Sequence, residues 1–132
     1  MSRLVDVGTV RFIGVVEAVE EVISTIRIKP EYLPGLMGLE AYKRVYILYW
    51  FHLRDNPEHR GTLQVVPRRH GETRPRGVFA SRSPSRPNPV GLTEVELISM
   101  DGCTLTVRGL DAFEGSPILD IKPVSMGGQE TR

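Results

Sequence analysis

Short stretches in which apolar and polar residues alternate recur along this chain, the spacing of strands with one buried face. From Glu21 to Lys29, Val22, Ser24, Ile26 and Ile28 fall on one side and Ile23, Thr25 and Arg27 on the other, and Pro30 ends the run. Before it, Val5 to Val19 is rich in Val and Ile with Gly8 and Gly14 inside, which predicts one or two strands bending or bulging at each glycine. Glu31 to Glu40 contains Pro34, Gly35 and Gly38 and predicts turns or one short helical turn. Lys43 to Leu53 is β-branched and aromatic and predicts a central strand, buried on both faces over much of its length. Thr62 to Val66 and Gly77 to Ala80 predict two short strands, and Val90 to Met100 a longer one with Val95 and Leu97 opposed to Glu94 and Glu96. Asp101-Gly102 is a tight hairpin turn, Cys103 to Leu110 alternates again, and Ile118 to Ile121 closes the set. Strands this short, without long helical periods between them, predict a mainly β domain: a small β-barrel of short antiparallel strands, or a strongly bent sheet.

Size and composition narrow this further. The chain has 132 residues, room for one core, and one domain over residues 1–125 is expected, with residues 126–132 a frayed tail. The longest apolar run, Val45 to Phe51, is seven residues, far below a membrane span. No charged-then-apolar leader precedes a small-residue cleavage site, so a cytoplasmic protein is expected. A single cysteine, Cys103, excludes an internal disulfide framework and a Cys-rich zinc site.

Net charge is only +1, but its distribution is uneven. Between Pro67 and Pro89 stand Arg68, Arg69, Arg74, Arg76, Arg82 and Arg86 against Glu72 alone, and five of the ten prolines share that window. A cationic, turn-forced segment takes phosphates or carboxylates as partners, and arginine favours planar, bidentate recognition. A solvated linker would share this composition. It would not carry the apolar run Gly77-Val78-Phe79-Ala80, nor lead straight from Pro87-Asn88-Pro89 into Val90-Gly91-Leu92.

The common catalytic signatures are missing. Neither the dinucleotide nor the P-loop glycine motif occurs, and His52, His59 and His70 lack metal-ligand spacing, so no metal is expected. Ser83 and Ser85 have no nucleophile-elbow context. Two segments remain, Gly77 to Thr93 (GVFASRSPSRPNPVGLT) and Gly109 to Pro123 (GLDAFEGSPILDIKP). In the first, prolines at 84, 87 and 89 hold Arg82, Arg86 and Asn88 on a stiff loop, which lowers the ordering cost of binding. In the second, Glu114-Gly115-Ser116-Pro117 is a turn with backbone groups free for a ligand, flanked by Asp111 and Asp120.

These segments resemble the TrmO-type family, also called YaeB or TsaA-like, whose loop reads close to ATRSPxRPNPIGLS and whose later stretch reads close to GxDLLDGTPVLDIKP. Gly38-Leu39-Glu40 and the strand Val45 to His52 are similar to a third family stretch, and the likeness runs from about Ile13 onward. The resemblance implies a non-Rossmann β-barrel that binds S-adenosyl-L-methionine and acts as a homodimer. It implies methylation of N6 of the threonylcarbamoylated adenosine beside the tRNA anticodon. By the same carry-over the cofactor would be contacted by Phe51, His52, Arg82, Leu92, Glu114, Gly115, Ser116 and Pro117. Asn88, Asp120 and Lys122 stand in the motif cores without an assigned role. The family's P-R-Q segment has no counterpart, so one wall of the cofactor pocket is expected to be missing or rebuilt.

The chemistry is consistent with the likeness. Methyl transfer from a sulfonium needs alignment in a dry pocket rather than a nucleophile or metal, and the face formed by Arg68, Arg69, Arg74, Arg76 and Arg86 would attract tRNA. Asp111 or Asp120 would accept the N6 proton, or serve structurally as turn caps. Tyr46, Tyr49 and Phe79 are expected to be core packing rather than cation–π partners. The competing readings are a non-catalytic RNA- or nucleotide-binding barrel and a methyltransferase with another acceptor.

Overall fold

The computed structural model describes residues 5–67 and 73–125. The strands are β1 (Gly14–Glu20), β2 (Ile23–Ile28), β3 (Arg44–Trp50), β4 (Gln64–Val65), β5 (Arg76–Gly77), β6 (Val90–Asp101), β7 (Thr104–Arg108) and β8 (Pro117–Pro123), with one short helix, α1 (Pro57–Arg60). Six of them close an antiparallel barrel in the order β1-β2-β7-β6-β3-β8, and β4 pairs with β5 as a separate ribbon. Closure requires local bending, and the register shifts where β1 meets β2, β6 meets β7 and β3 meets β8.

The alternation predicted for the strands decides which side chains point inward. Val16, Ile26, Ile28, Val45, Ile47, Tyr49, Val95, Leu105, Val107 and Ile118 form the buried core, each apolar side chain contributing about 1.5–3 kcal/mol when removed from water. The opposite positions carry exposed cross-strand ion pairs, Arg27 with Glu17 at 2.8 Å, Arg108 with Glu96 at 3.1 Å, and Arg44 with Glu94. The hairpin at Asp101-Gly102 is as expected, with Gly102 at φ 61°.

Several expectations need correction. Residues 5–13 are not strand; β1 begins at Gly14. Strand β3 is buried on one face only, because Tyr46, Leu48 and Trp50 on the other are half covered. It also ends earlier than predicted, since Arg54 N–H bonds the Phe51 carbonyl and residues 52–54 form a 3₁₀ turn. Gly77 to Ala80 is not a strand. After Gly77 the chain enters a 3₁₀ turn that buries Val78 and leaves Phe79 79% exposed, so Phe79 is not core packing. Helix α1 was not predicted, although its signal is present: Asn56 Oδ1 accepts from His59 N–H at 2.9 Å and Pro57 occupies the first turn. The tail at residues 126–132 lies outside the described residues. Among those residues no helix is long and apolar enough to cross a membrane.

Candidate functional site

One wall of the site is the proline-rich loop between β5 and β6. Its serines bond locally: Ser83 N–H donates to Ser81 Oγ and Ser85 N–H to Ser83 Oγ. Arg86 folds back over it, donating to the carbonyls of Ser81 at 3.2 Å and Ser83 at 3.0 Å. Residues 50–60 hold the loop from behind. Arg54 Nη1 donates to the buried Ser85 Oγ at 2.9 Å, and His59 Nδ1 lies 2.7 Å from that same oxygen. Arg60 donates to the Pro87 carbonyl at 2.9 Å and to Asp55 Oδ1 at 2.9 Å, with its guanidinium 5.8 Å from the centre of the Trp50 ring. Trp50 Nε1–H in turn donates to Asp55 Oδ2 at 3.2 Å.

The second wall, residues 109–116, is held by backbone. Gly109 N–H donates to the Val22 carbonyl at 2.9 Å, Gly115 N–H to Val16 at 2.8 Å, and Val16 N–H to Ser116 at 2.9 Å. Gly115 has φ 92°, a left-handed conformation that a side chain would strain. Tyr49 Oη donates to the Asp111 carbonyl at 2.7 Å, and Leu110 packs into the barrel core.

The floor lies where β3 and β6 pair. Gly91 is opposite Tyr49, and a Cβ there would meet the Tyr49 ring at 2.6 Å and the Phe51 ring at 2.8 Å. Glycine therefore lets Tyr49 and Phe51 pack edge to face, with centroids 5.3 Å apart. Burial pushes the Tyr49 phenol above the usual tyrosine range, opposed by its hydrogen bond with Thr93. Arg82 Nη1 donates to the Leu92 carbonyl at 3.0 Å, which sets the arginine at the edge of the floor. Walls and floor enclose a cleft of about 530 Å³.

Of the eight cofactor contacts named in the sequence, Phe51, His52, Arg82, Leu92 and Ser116 line this cleft. Glu114, Gly115 and Pro117 do not; the bend turns Asp111, Ala112 and Phe113 toward it instead. Asp111 and Asp120 part company here. Asp111 is in the lining, whereas Asp120 sits on β8 outside it and accepts from Ile121 N–H at 2.8 Å. Asn88 accepts from Arg60 at 3.4 Å, and Lys122 is exposed on β8. The proposed basic face is also changed. Arg86 is half-buried and bonded within the loop, Arg74 and Arg76 are exposed, and Arg68 and Arg69 lie outside the described residues. No described lining residue precedes Tyr49. Sequence reasoning missed Thr93 and the anchors Arg54, His59 and Arg60; the cap at Asn56-Pro57 was the signal that would have placed the last two on a helix. Among the described residues no cluster of three His, Cys, Asp or Glu is placed to hold a metal.

Known proteins share this architecture. The model of the tRNA-methyltransferase O N-terminal domain matches residues 16–127. A probable S-adenosyl-L-methionine-binding protein of Methanothermobacter thermautotrophicus is 53% identical over 100 residues, covering 76% of this chain and 68% of that protein. A tRNA (adenine(37)-N6)-methyltransferase of Mus musculus is 42% identical over 89 residues, 67% of this chain but 20% of that protein. The crystal structure of TrmO from Pseudomonas aeruginosa superposes with a TM-score of 0.69 at 25% identity, covering 96% of this chain and 61% of that one. The chain thus spans about three fifths of that solved relative.

Proposed function

This chain belongs to the tRNA-methyltransferase O N-terminal domain family, and on that premise we propose that its cleft binds S-adenosyl-L-methionine for methyl transfer to N6 of an adenosine in tRNA. The specific target in this reading is the threonylcarbamoylated adenosine beside the anticodon. The observation that carries it is the meeting of the proline-stiffened loop and the 109–116 bend in one cleft of about 530 Å³, within the usual range of small-ligand sites.

The residues suit the cofactor. Arg82 commits Nη1 to the Leu92 carbonyl and keeps its remaining donors for a carboxylate. Phe51, Leu92 and Phe113 offer apolar surface to an adenine ring, and the Tyr49–Phe51 pair offers aromatic density to a cation. When bound, the cofactor supplies an electrophilic methyl group on a sulfonium. The lining residues align donor and acceptor, and Asp111, the one carboxylate among the described lining residues, accepts the proton displaced from N6. The exposed Arg76 and Arg82 bring positive charge to the tRNA backbone. A homodimer belongs to the same reading, with Leu53 and Phe79 as exposed apolar surface for a second copy.

Calorimetry with S-adenosyl-L-methionine should give a saturable heat that Arg82→Ala removes; no heat at millimolar cofactor would sink the reading. Incubation with tRNA and methyl-labelled cofactor should place label on adenosine N6. Asp111→Asn should keep cofactor affinity and lose transfer. Binding without transfer to any acceptor would leave a binding module, and label on a different acceptor a methyltransferase of other specificity.

A further inference from the structure

We infer that Ser85, gripped by Arg54 and His59, is the positioning residue of the cleft-side loop, and that the grip holds only while His59 is neutral. The functional part of this inference rests on the reading of the cleft as a cofactor site.

Ser85 is 6% exposed, and its hydroxyl has one proton and two lone pairs. Arg54 Nη1 is an obligate donor at 2.9 Å and takes one lone pair. His59 Nδ1 is 2.7 Å from the same oxygen. With a proton on Nδ1, the hydroxyl would accept twice and its own hydrogen would be buried without a recorded acceptor among the described residues. The arrangement that satisfies each atom has Ser85 donating to an unprotonated Nδ1, with the ring proton on Nε2. The charged groups on the elements packed here are Arg54, which shares Ser85 with the ring, and Arg86, the next residue on the loop. On the ring's own helix they are exposed Glu58 and Arg60, which is paired with Asp55.

A proton on Nδ1 converts the acceptor into a donor and adds a second cation against Ser85 beside Arg54. Both changes loosen Ser85. The effect passes directly to the reciprocal Ser83–Ser85 bonds at 3.1 and 3.2 Å, and so to Arg82 and Arg86 on either side. His59 thus acts on the cleft through the loop, without lining it.

Two measurements on the full chain test this. Imidazole ¹⁵N NMR at about pH 7.5, above the usual histidine titration, should show Nδ1 unprotonated and Nε2 carrying hydrogen; the opposite tautomer overturns the inference with or without cofactor. Affinity for S-adenosyl-L-methionine should then fall about fivefold as His59 takes its proton, the worth of one ordinary hydrogen bond. His52 is a second imidazole and lines the cleft, so the decisive comparison is His59→Asn, whose amide oxygen accepts from Ser85 and carries no ionisable proton. That variant should lose the fivefold step, and Ser85→Ala should show the low affinity at every pH. A flat wild-type profile, an equal step in His59→Asn, or full affinity in Ser85→Ala would each overturn the inference. If the cofactor binds at no pH, the cofactor reading falls separately. The grip itself is then decided by the backbone amides of Ser83, Ser85 and Arg86, which must titrate with His59 in the wild type and stay flat in His59→Asn.

Discussion

The loop at residues 81–89 is anchored mainly by side chains reaching over from residues 54–60, with one backbone bond from Phe51 to Pro89, whereas the bend at residues 109–116 is held largely by its own backbone, bonded to Val16 and Val22. Two walls of one cleft are therefore built by different means. A wall held by arginine and histidine side chains answers to substitution, and to protonation, at a distance. A wall held by backbone bonds tolerates side-chain changes but depends on the conformations its glycines permit.

Substitutions can break or sharpen that contrast. Arg60→Ala removes charged hydrogen bonds to Pro87 and Asp55 and the contact over Trp50, so a loss of about 1.5–3 kcal/mol is expected in denaturant unfolding. Amide shifts should change in residues 81–89 and not in 109–116; equal disturbance of both would erase the distinction. Gly115→Ala should cost about 1–2 kcal/mol, and here the cause is conformational alone. Nothing lies within 4 Å of the added Cβ, while φ is 92°. Its shifts should concentrate in the bend, and an alanine variant as stable as the parent would show that the left-handed backbone is not required.

Tyr49→Phe removes the hydrogen bond that ties the bend to β3, for about 1 kcal/mol. It also carries a pH signature. Burial raises the folded-state value of this phenol, so the unfolded chain releases its proton first, and stability declines as pH rises above about 10. The Phe variant should lose that part of the alkaline decline, measured against the parent by thermal unfolding. The smallest effect is expected from Arg27→Ala on the outer barrel face, where the pair with Glu17 is exposed: less than about 1 kcal/mol, with neither wall moved.

The barrel strands were legible in the chain because period-two alternation reports burial directly, as in Ser24-Ile26-Ile28 and Val45-Ile47-Tyr49. The Asp101-Gly102 turn was legible for a comparable reason, since its chemistry is local. In the run Gly77 to Ala80, apolar character does not translate into burial. Only Val78 goes inside, and Phe79 on the next position of a 3₁₀ turn points out. At the site, the loop and bend singled out by the motif both border the cleft, but Asp111, Ala112 and Phe113 line it where Glu114, Gly115 and Pro117 do not. Which of Asp111 or Glu114 faces the cleft depends on how the chain leaves β7 at Gly109, a rotation that residue types do not encode.

From its residues alone, this chain specified strand alternation, hairpin chemistry, a stiff arginine loop and its family likeness, since each is written in local spacing and composition. Tertiary structure alone decided that Arg54 and His59 meet at Ser85, that Gly91 makes room for two aromatic rings, and that Asp111 rather than Asp120 reaches the cleft. Those outcomes depend on barrel closure and strand register, which pair residues as far apart in the chain as Gly14 and Ile118. Distances across a closed sheet are set by all its strands at once.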